Sequence, residues 1–167
     1  GACIGVIGEA PGGFGPCIGD TVLVRGLAGI DVDRVTLATM FAEADTMGEA
    51  ARHATTARVH ATLDVGDDVS SAGFDQSVGL YGAMAGLAAE RGWRAIATRC
   101  WPECMTEYGA AACTPMAMLT EDGIPSVCEA DLFGAVTALV LRHAGGSDPF
   151  VADLVDVDAD DGTSVVW

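Results

Sequence analysis

Glu107 and Asp131 are the residues of this chain best placed to do chemistry, because each follows closely on an apolar, strand-like run. The run from Trp93 to Cys100 alternates apolar residues, turns at Trp101-Pro102 and is followed by Glu103 and Glu107. The run from Pro125 to Cys128 leads directly into Glu129 and Asp131, and the first apolar run, Ala2 to Gly8, ends at Glu9. In an open parallel sheet, ligands bind in the crevice beyond the carboxyl ends of the strands. If neighbouring strands carry them, Glu107 and Asp131 converge, and a pair of carboxylates offers hard oxygen ligands suited to Mg²⁺ or Mn²⁺. A plainer role competes with this one. Acids near helix N-termini stabilise the macrodipole, so Asp131 could serve as an N-cap and Glu107 as a first-turn residue. In a chain with 24 acids some fall there by chance.

Other chemistries find little support. Gly5, Gly8, Gly12, Gly13 and Gly15 do not form G-x-G-x-x-G at a strand-helix junction, and Pro11 and Pro16 interrupt the turn, which argues against a dinucleotide site. A serine nucleophile lacks its elbow motif. His53, His60 and His143 fall on or at the ends of expected helices, where surface or capping roles are the rule. Cys100 and Cys104 are separated by three residues, and no second Cys/His pair of zinc-finger spacing accompanies them, so a structural zinc is not expected. Cys3, Cys100 and Cys128 sit inside apolar runs, where a thiol behaves as a small core hydrophobe; reduced cytoplasmic thiols are the expectation for all six cysteines.

The elements that must position these residues alternate. A strand over Ala2 to Gly8 is followed by a Gly/Pro-rich turn, a short helix over Asp20 to Leu27 and a strand over Asp33 to Leu37. A helical region runs from about Glu43 to Leu63, and a helix over Ser71 to Arg91 places Phe74, Val78, Tyr81, Met84, Ala85 and Ala88 at three- and four-residue spacing before Gly92. After the Trp93 strand come a helix from about Glu103 to Leu119, the Pro125 strand and a helix over Asp131 to His143. Phe150 to Val157 and Thr163 to Trp167, across the turn Asp158 to Gly162, read as an acidic hairpin. The expected fold class is α/β, an open and mainly parallel Rossmann-like sheet covered by helices on both faces.

At 167 residues the chain buries one good core. Its formal net charge is -16, with 8 arginines and no lysine. Because the arginines are scattered, a nucleic-acid partner is not expected, and an anionic membrane surface is disfavoured for the same reason. Such acidity suits a high-salt cytoplasm, and a GC-rich genome that avoids Lys codons produces the same pattern. No apolar run reaches the ~20 residues of a membrane span and no signal peptide is present, which makes a soluble, cytoplasmic protein the expectation. Both ends are abrupt, which fits a piece of a longer polypeptide.

Three stretches together resemble the L-fucose isomerase-like sugar isomerases: Ile4 to Phe14, Arg99 through Glu107-Tyr108-Gly109 to Cys113, and Gly123 through Cys128-Glu129-Ala130-Asp131. The similarity continues through Phe150-Val151-Ala152-Asp153 and the hairpin, and Arg99 to Asp131 is its most specific part. The resemblance implies a central α/β domain over 1–128 and the start of a C-terminal domain over 129–167. It implies a metal-dependent aldose-ketose isomerase of L-fucose/D-arabinose isomerase type, without an organic cofactor, that moves a proton through an enediolate. Glu107 falls on the family's metal-binding Glu and Asp131 on its metal-binding Asp, for Mn²⁺ or another divalent cation, with one carboxylate also acting as the base; the family's His falls beyond Trp167. An aldose or ketose substrate and a homo-oligomer follow from the same resemblance.

Two rivals stand beside it. The first is a non-catalytic sugar-binding or assembly domain whose carboxylates merely cap helices. The second is a phosphosugar or nucleotide enzyme, for which a chain with no lysine and no phosphate loop is poorly equipped.

Overall fold

Strand β1 (Cys3–Ile7) lies inside a four-stranded parallel sheet of order β2-β1-β3-β4, in which β2 spans Asp31–Val35, β3 spans Trp93–Thr98 and β4 is the short Ser126–Val127. The computed structural model describes residues 1–166. The α/β class and parallel sheet expected from the alternating pattern are those observed.

Helices cover both faces. One face is packed by α2 (Leu37–Asp45), α4 (Ser71–Arg91) and α5 (Cys113–Glu121), and buries Ile7, Met40, Leu80, Met84, Trp93 and Leu119. The other is packed by α1 (Thr21–Ala28) and α6 (Leu132–Gly145), and buries Ile4, Val6, Val24, Ala97, Leu132 and Leu139. The alternation of Ile4 and Val6 against Ile7 is what a doubly covered strand requires. In β3 the pairing shifts by one residue between Cys3 and Ile4 of β1, so Trp93 and Ile96, three apart, share a face. Helix α6 begins beyond residue 128, yet its Leu132, Ala135, Ala138 and Leu139 belong to the same buried cluster as Ile4 and Val6.

One close approach ties three strands together. A Cβ on Gly5 would lie 2.2 Å from the Trp93 ring, so only glycine lets the indole cross β1. Trp93 Nε1 thereby donates to Asp33 Oδ2 on β2 at 3.0 Å, beside a 3.1 Å bond from Arg91.

Several boundaries differ from expectation for local reasons. Strand β2 ends at Val35 rather than Leu37, because the Thr36 hydroxyl accepts from Thr39 N and caps α2. The helical region expected from Glu43 to Leu63 is two helices, α2 and α3 (Glu49–Thr62), broken where Thr46 Oγ1 donates to Glu43 O and Gly48 starts the second. The helix expected from Glu103 to Leu119 is a π-helical turn over Cys104–Tyr108, a left-handed Gly109 (φ 89°) and then α5. The hairpin exists as β5 (Leu154–Asp158) and β6 (Thr163–Val166), antiparallel and exposed along both strands; Trp167, expected to end it, lies outside the described residues. Among the described residues no helix is long and apolar enough to cross a membrane.

Candidate functional site

From β1 the chain runs outward to β2, returns across the sheet to β3 and continues outward to β4, so the strand order reverses between β1 and β3. Ligands of doubly wound sheets bind at such a switch point, beyond the strand ends. A crevice of about 660 Å³ opens there, walled by Gly8 and Glu9 after β1, Arg34 at the end of β2, and Arg99, Glu103 and Glu107 after β3.

Within this crevice the charges are partitioned. Arg99 donates through Nε to Glu103 Oε2 at 2.6 Å and through Nη2 to Glu103 Oε1, while its Nη1 reaches Glu9 O at 3.4 Å. The forked pairing with Arg99 holds the Glu103 carboxyl below the usual carboxylate range, against a smaller opposing effect of burial. Glu107 is exposed and, among the described residues, makes no side-chain hydrogen bond or ion pair. Arg34 is likewise without an ion pair among the described residues, whereas Arg91 is held by Asp33.

Asp131 lies at the N-terminus of α6, where its Oδ1 accepts from Gly134 N at 2.9 Å. The capping role that competed with metal binding in the sequence is therefore real, and it occupies one oxygen of the carboxylate. The strands that carry Glu107 and Asp131 are neighbours, but the structure does not bring the two carboxylates into one cavity: Asp131 is not part of the crevice wall. Among the described residues both Glu107 oxygens and Asp131 Oδ2 accept no hydrogen bond, and carboxylate oxygens of this kind are the donors a hard divalent ion takes.

Beyond β4 the structure shows a cluster that sequence reasoning missed. Cys100 and Cys128 form a disulfide, with Cα atoms 6.2 Å apart and a sequence separation of 28, which corrects the expectation of reduced thiols for this pair. The physical reason is register: β3 pairs with β4 at Ile96–Ser126 and Ala97–Val127, so the residues past both strand ends are neighbours. Cys3, Cys17, Cys104 and Cys113 remain thiols, and burial pushes the Cys104 thiol up to about 12. Glu129 lies against the disulfide, its Oε1 3.8 Å from Cys100 Sγ and its Oε2 buried without a hydrogen-bond partner among the described residues. Burial, with the Asp153 charge, raises the Glu129 carboxyl above its ordinary range, opposed by Arg99. Glu129 and Ala130 adopt φ of 61° and 51°, uncommon for residues other than glycine, and this kink turns the glutamate side chain inward before Asp131 starts α6.

The histidines stay away from these groups. His60 stacks on Phe74, His143 Nδ1 bonds Leu139 O near the end of α6, and His53 is exposed.

No protein-family profile matches the chain. Over 167 residues, 98% of its length, it is 35% identical to a sulfoquinovose isomerase of Alkalicoccus urumqiensis. It is 40% identical over 74 residues, 44% of the chain, to a sulfoquinovose isomerase of Priestia megaterium (strain ATCC 12872 / QMB1551), and 34% identical over 93 residues, 56% of the chain, to one of Clostridium sp. (strain MSTE9). The aligned parts cover 37%, 17% and 21% of those three proteins, so the chain spans little more than a third of the first relative's length. Across nearly all of its own length this chain is similar to one protein that bears the name sulfoquinovose isomerase, and over about half of it to others of the same name.

Proposed function

We propose that the chain is the sheet-bearing part of an aldose-ketose isomerase that acts on a sulfonated sugar of the sulfoquinovose type. The observation that carries this reading is the crevice at the β1/β3 switch point, which combines uncommitted carboxylate with uncommitted guanidinium. The relatives' name supplies the reaction and the sugar.

Each part of the crevice then has a task. Glu107 on the crevice wall, and Asp131 at the start of α6 outside that wall, would each give a carboxylate oxygen to the divalent ion, Mn²⁺ or a cation like it, which supplies Lewis-acid polarisation of the sugar's oxygens. The Glu107 oxygen not given to the ion takes the proton from the carbon next to the carbonyl, and the carboxyl, in exchange with solvent, returns a proton to the carbonyl carbon, while the proton of the adjacent hydroxyl passes to the former carbonyl oxygen. Glu103, neutralised by Arg99, is unsuited to that work and instead fixes the Arg99 guanidinium at the crevice floor. Among the described residues Arg34 is the crevice arginine without an ion pair, and a sulfonate is an anion whose oxygens match its planar fork. In a chain of net charge -16, a free arginine in a ligand crevice is where an anionic substrate group finds favourable potential.

Calorimetry tests this reading. Sulfoquinovose is titrated into the Mn²⁺-loaded protein, beside glucose and the Arg34→Ala variant. The reading predicts Mn²⁺-dependent binding of sulfoquinovose, a preference over glucose of tenfold or more, and loss of that preference in the variant, since a charge-assisted bond contributes about 1.5–3 kcal/mol. Equal affinity for both sugars in wild type and variant would contradict the assignment of Arg34. Absence of any sugar binding would contradict the function.

A further inference from the structure

The group at the end of β4 is unexplained by anything above. Cys100 Sγ, Cys128 Sγ and a Glu129 carboxylate oxygen all lie within 4.8 Å of one another. The disulfide satisfies the two sulfurs but does nothing for Glu129, whose Oε2 is buried without a hydrogen-bond partner among the described residues. A buried carboxylate oxygen without a partner is costly, and such an atom calls for a cation or a donor. The three ligand atoms are also held firmly: Cys100 is buried two residues past the end of β3, Cys128 directly follows β4, and Glu129 is fixed by two successive left-handed residues and the α6 cap that follows.

We propose that, once the disulfide is reduced, Cys100, Cys128 and Glu129 form a thiolate-carboxylate site for a borderline-soft divalent cation of the zinc class, separate from the hard-oxygen pair Glu107 and Asp131. The geometry agrees with that chemistry. Tetrahedral zinc with Zn–S of about 2.3 Å and Zn–O of about 2.0 Å places sulfur and oxygen ligands roughly 3.5 Å apart and two sulfurs roughly 3.8 Å apart. Glu129 Oε1 already lies 3.8 Å from Cys100 Sγ, and two thiols released from a disulfide relax to van der Waals separation at the same spot. Three protein ligands leave the fourth position open to water or to an oxygen of a bound molecule, the arrangement of a reactive rather than a closed structural site.

The redox step balances. A dithiol reductant such as dithiothreitol gives two electrons and two protons to the Cys100–Cys128 bond and leaves as its own cyclic disulfide. Cation binding then releases the two thiol protons to solvent. The same pair of sulfurs is thus either joined to each other or joined through a metal, and the second state sets a cation directly against the Glu129 carboxylate.

Cobalt(II) reads this out directly, because thiolate ligation produces near-ultraviolet charge-transfer absorption that oxygen ligation lacks. The protein is reduced, freed of reductant without air, and titrated with Co²⁺, alongside the oxidised protein. The expected result is a thiolate band saturating at one equivalent in the reduced form only, bleached by Zn²⁺ and untouched by a Cys17→Ser, Cys104→Ser, Cys113→Ser triple variant. Cys100→Ser and Cys128→Ser each abolish the band, and Glu129→Gln keeps it while weakening Co²⁺ affinity tenfold or more. Circular dichroism of every variant shows that a lost band is not a lost fold, and Cys128→Ala serves where Cys128→Ser does not fold. A reduced wild type with no thiolate band, or a band that survives both Cys100→Ser and Cys128→Ser, would overturn the proposal. Displacement of the cobalt by one equivalent of Mn²⁺ would also overturn it, by showing a single shared hard-ion site. None of these outcomes depends on whether the protein isomerises a sugar.

Discussion

Arg99 grips both carboxylate oxygens of Glu103, four residues on in sequence, and this pairing decides which acid of the crevice is available. Glu103 is neutralised in place, while Glu107, one turn further along the π-helical segment, is left without a partner among the described residues. Glu107→Gln is therefore expected to weaken Mn²⁺ binding tenfold or more, through loss of a charged ligand, and Glu103→Gln to change it less than threefold. Calorimetric titration of both variants checks this; equal losses would mean that the two glutamates share one task.

Asp131 carries two roles that substitution can separate. Asparagine caps helices about as well as aspartate, so Asp131→Asn keeps the bond to Gly134 N and the stability of α6 while removing the charge. Asp131→Ala loses both, at a stability cost of about 1 kcal/mol. Urea unfolding and Mn²⁺ titration on the two variants are expected to show matched losses of affinity with unmatched losses of stability. Full Mn²⁺ affinity in both would leave Asp131 as a cap alone.

Gly5→Ala tests the crossing of Trp93 over β1. The added Cβ meets the indole at 2.2 Å, so the ring must leave its place above the strand and its bond to Asp33. Overpacking at a buried site and a broken polar contact together predict about 3 kcal/mol of destabilisation. A lowered urea midpoint with altered near-ultraviolet circular dichroism is the expected result; an unchanged midpoint would contradict the packing described.

The pH dependence of stability has one identifiable source between α3, α4 and α5. Asp122 is raised by burial but lowered more by bonds from Arg58 (Oδ2, 3.0 Å) and Tyr81 (2.7 Å) and by the Arg58 charge, for a net depression below its ordinary value. A depressed carboxyl contributes stability above its unfolded pKa of about 3.9, and that contribution is lost as pH falls through the lower folded value. Since the pair is a third exposed, the contribution after screening is about 1 kcal/mol. Unfolding free energies at pH 7 and pH 2 are expected to differ by that much less in Asp122→Asn than in wild type, and identical pH profiles would remove the network from the account.

Much of this architecture is legible in the residues themselves. The 21-residue α4 matches its expected bounds because Ser70 caps its start and the left-handed Gly92 ends it. Asp20 announces α1 in the same way. The carboxylates past β3 and β4 were identifiable because strand ends in a parallel sheet are where ligands bind. What could not be read is what depends on three-dimensional neighbourhood. Spacing along the chain sets Cys100 beside Cys104, whereas its partner is Cys128 across the β3/β4 pairing. The burial of Glu129 follows from two left-handed residues that carry no glycine to signal them. That Arg99 takes Glu103 and leaves Arg34 free is a matter of side-chain reach that no spacing rule encodes.

The most direct test of the proposed function is proton NMR of sulfoquinovose incubated in D₂O with the protein and Mn²⁺. The expected result is loss of the signal of the proton on the carbon adjacent to the carbonyl, growth of ketose signals with deuterium at the carbon that receives the proton, and a marked slowing of both in Glu107→Gln. A sugar that stays an aldose and keeps that proton, in the presence of protein shown to have bound both Mn²⁺ and the sugar, would contradict isomerisation and leave the chain a sugar-binding domain.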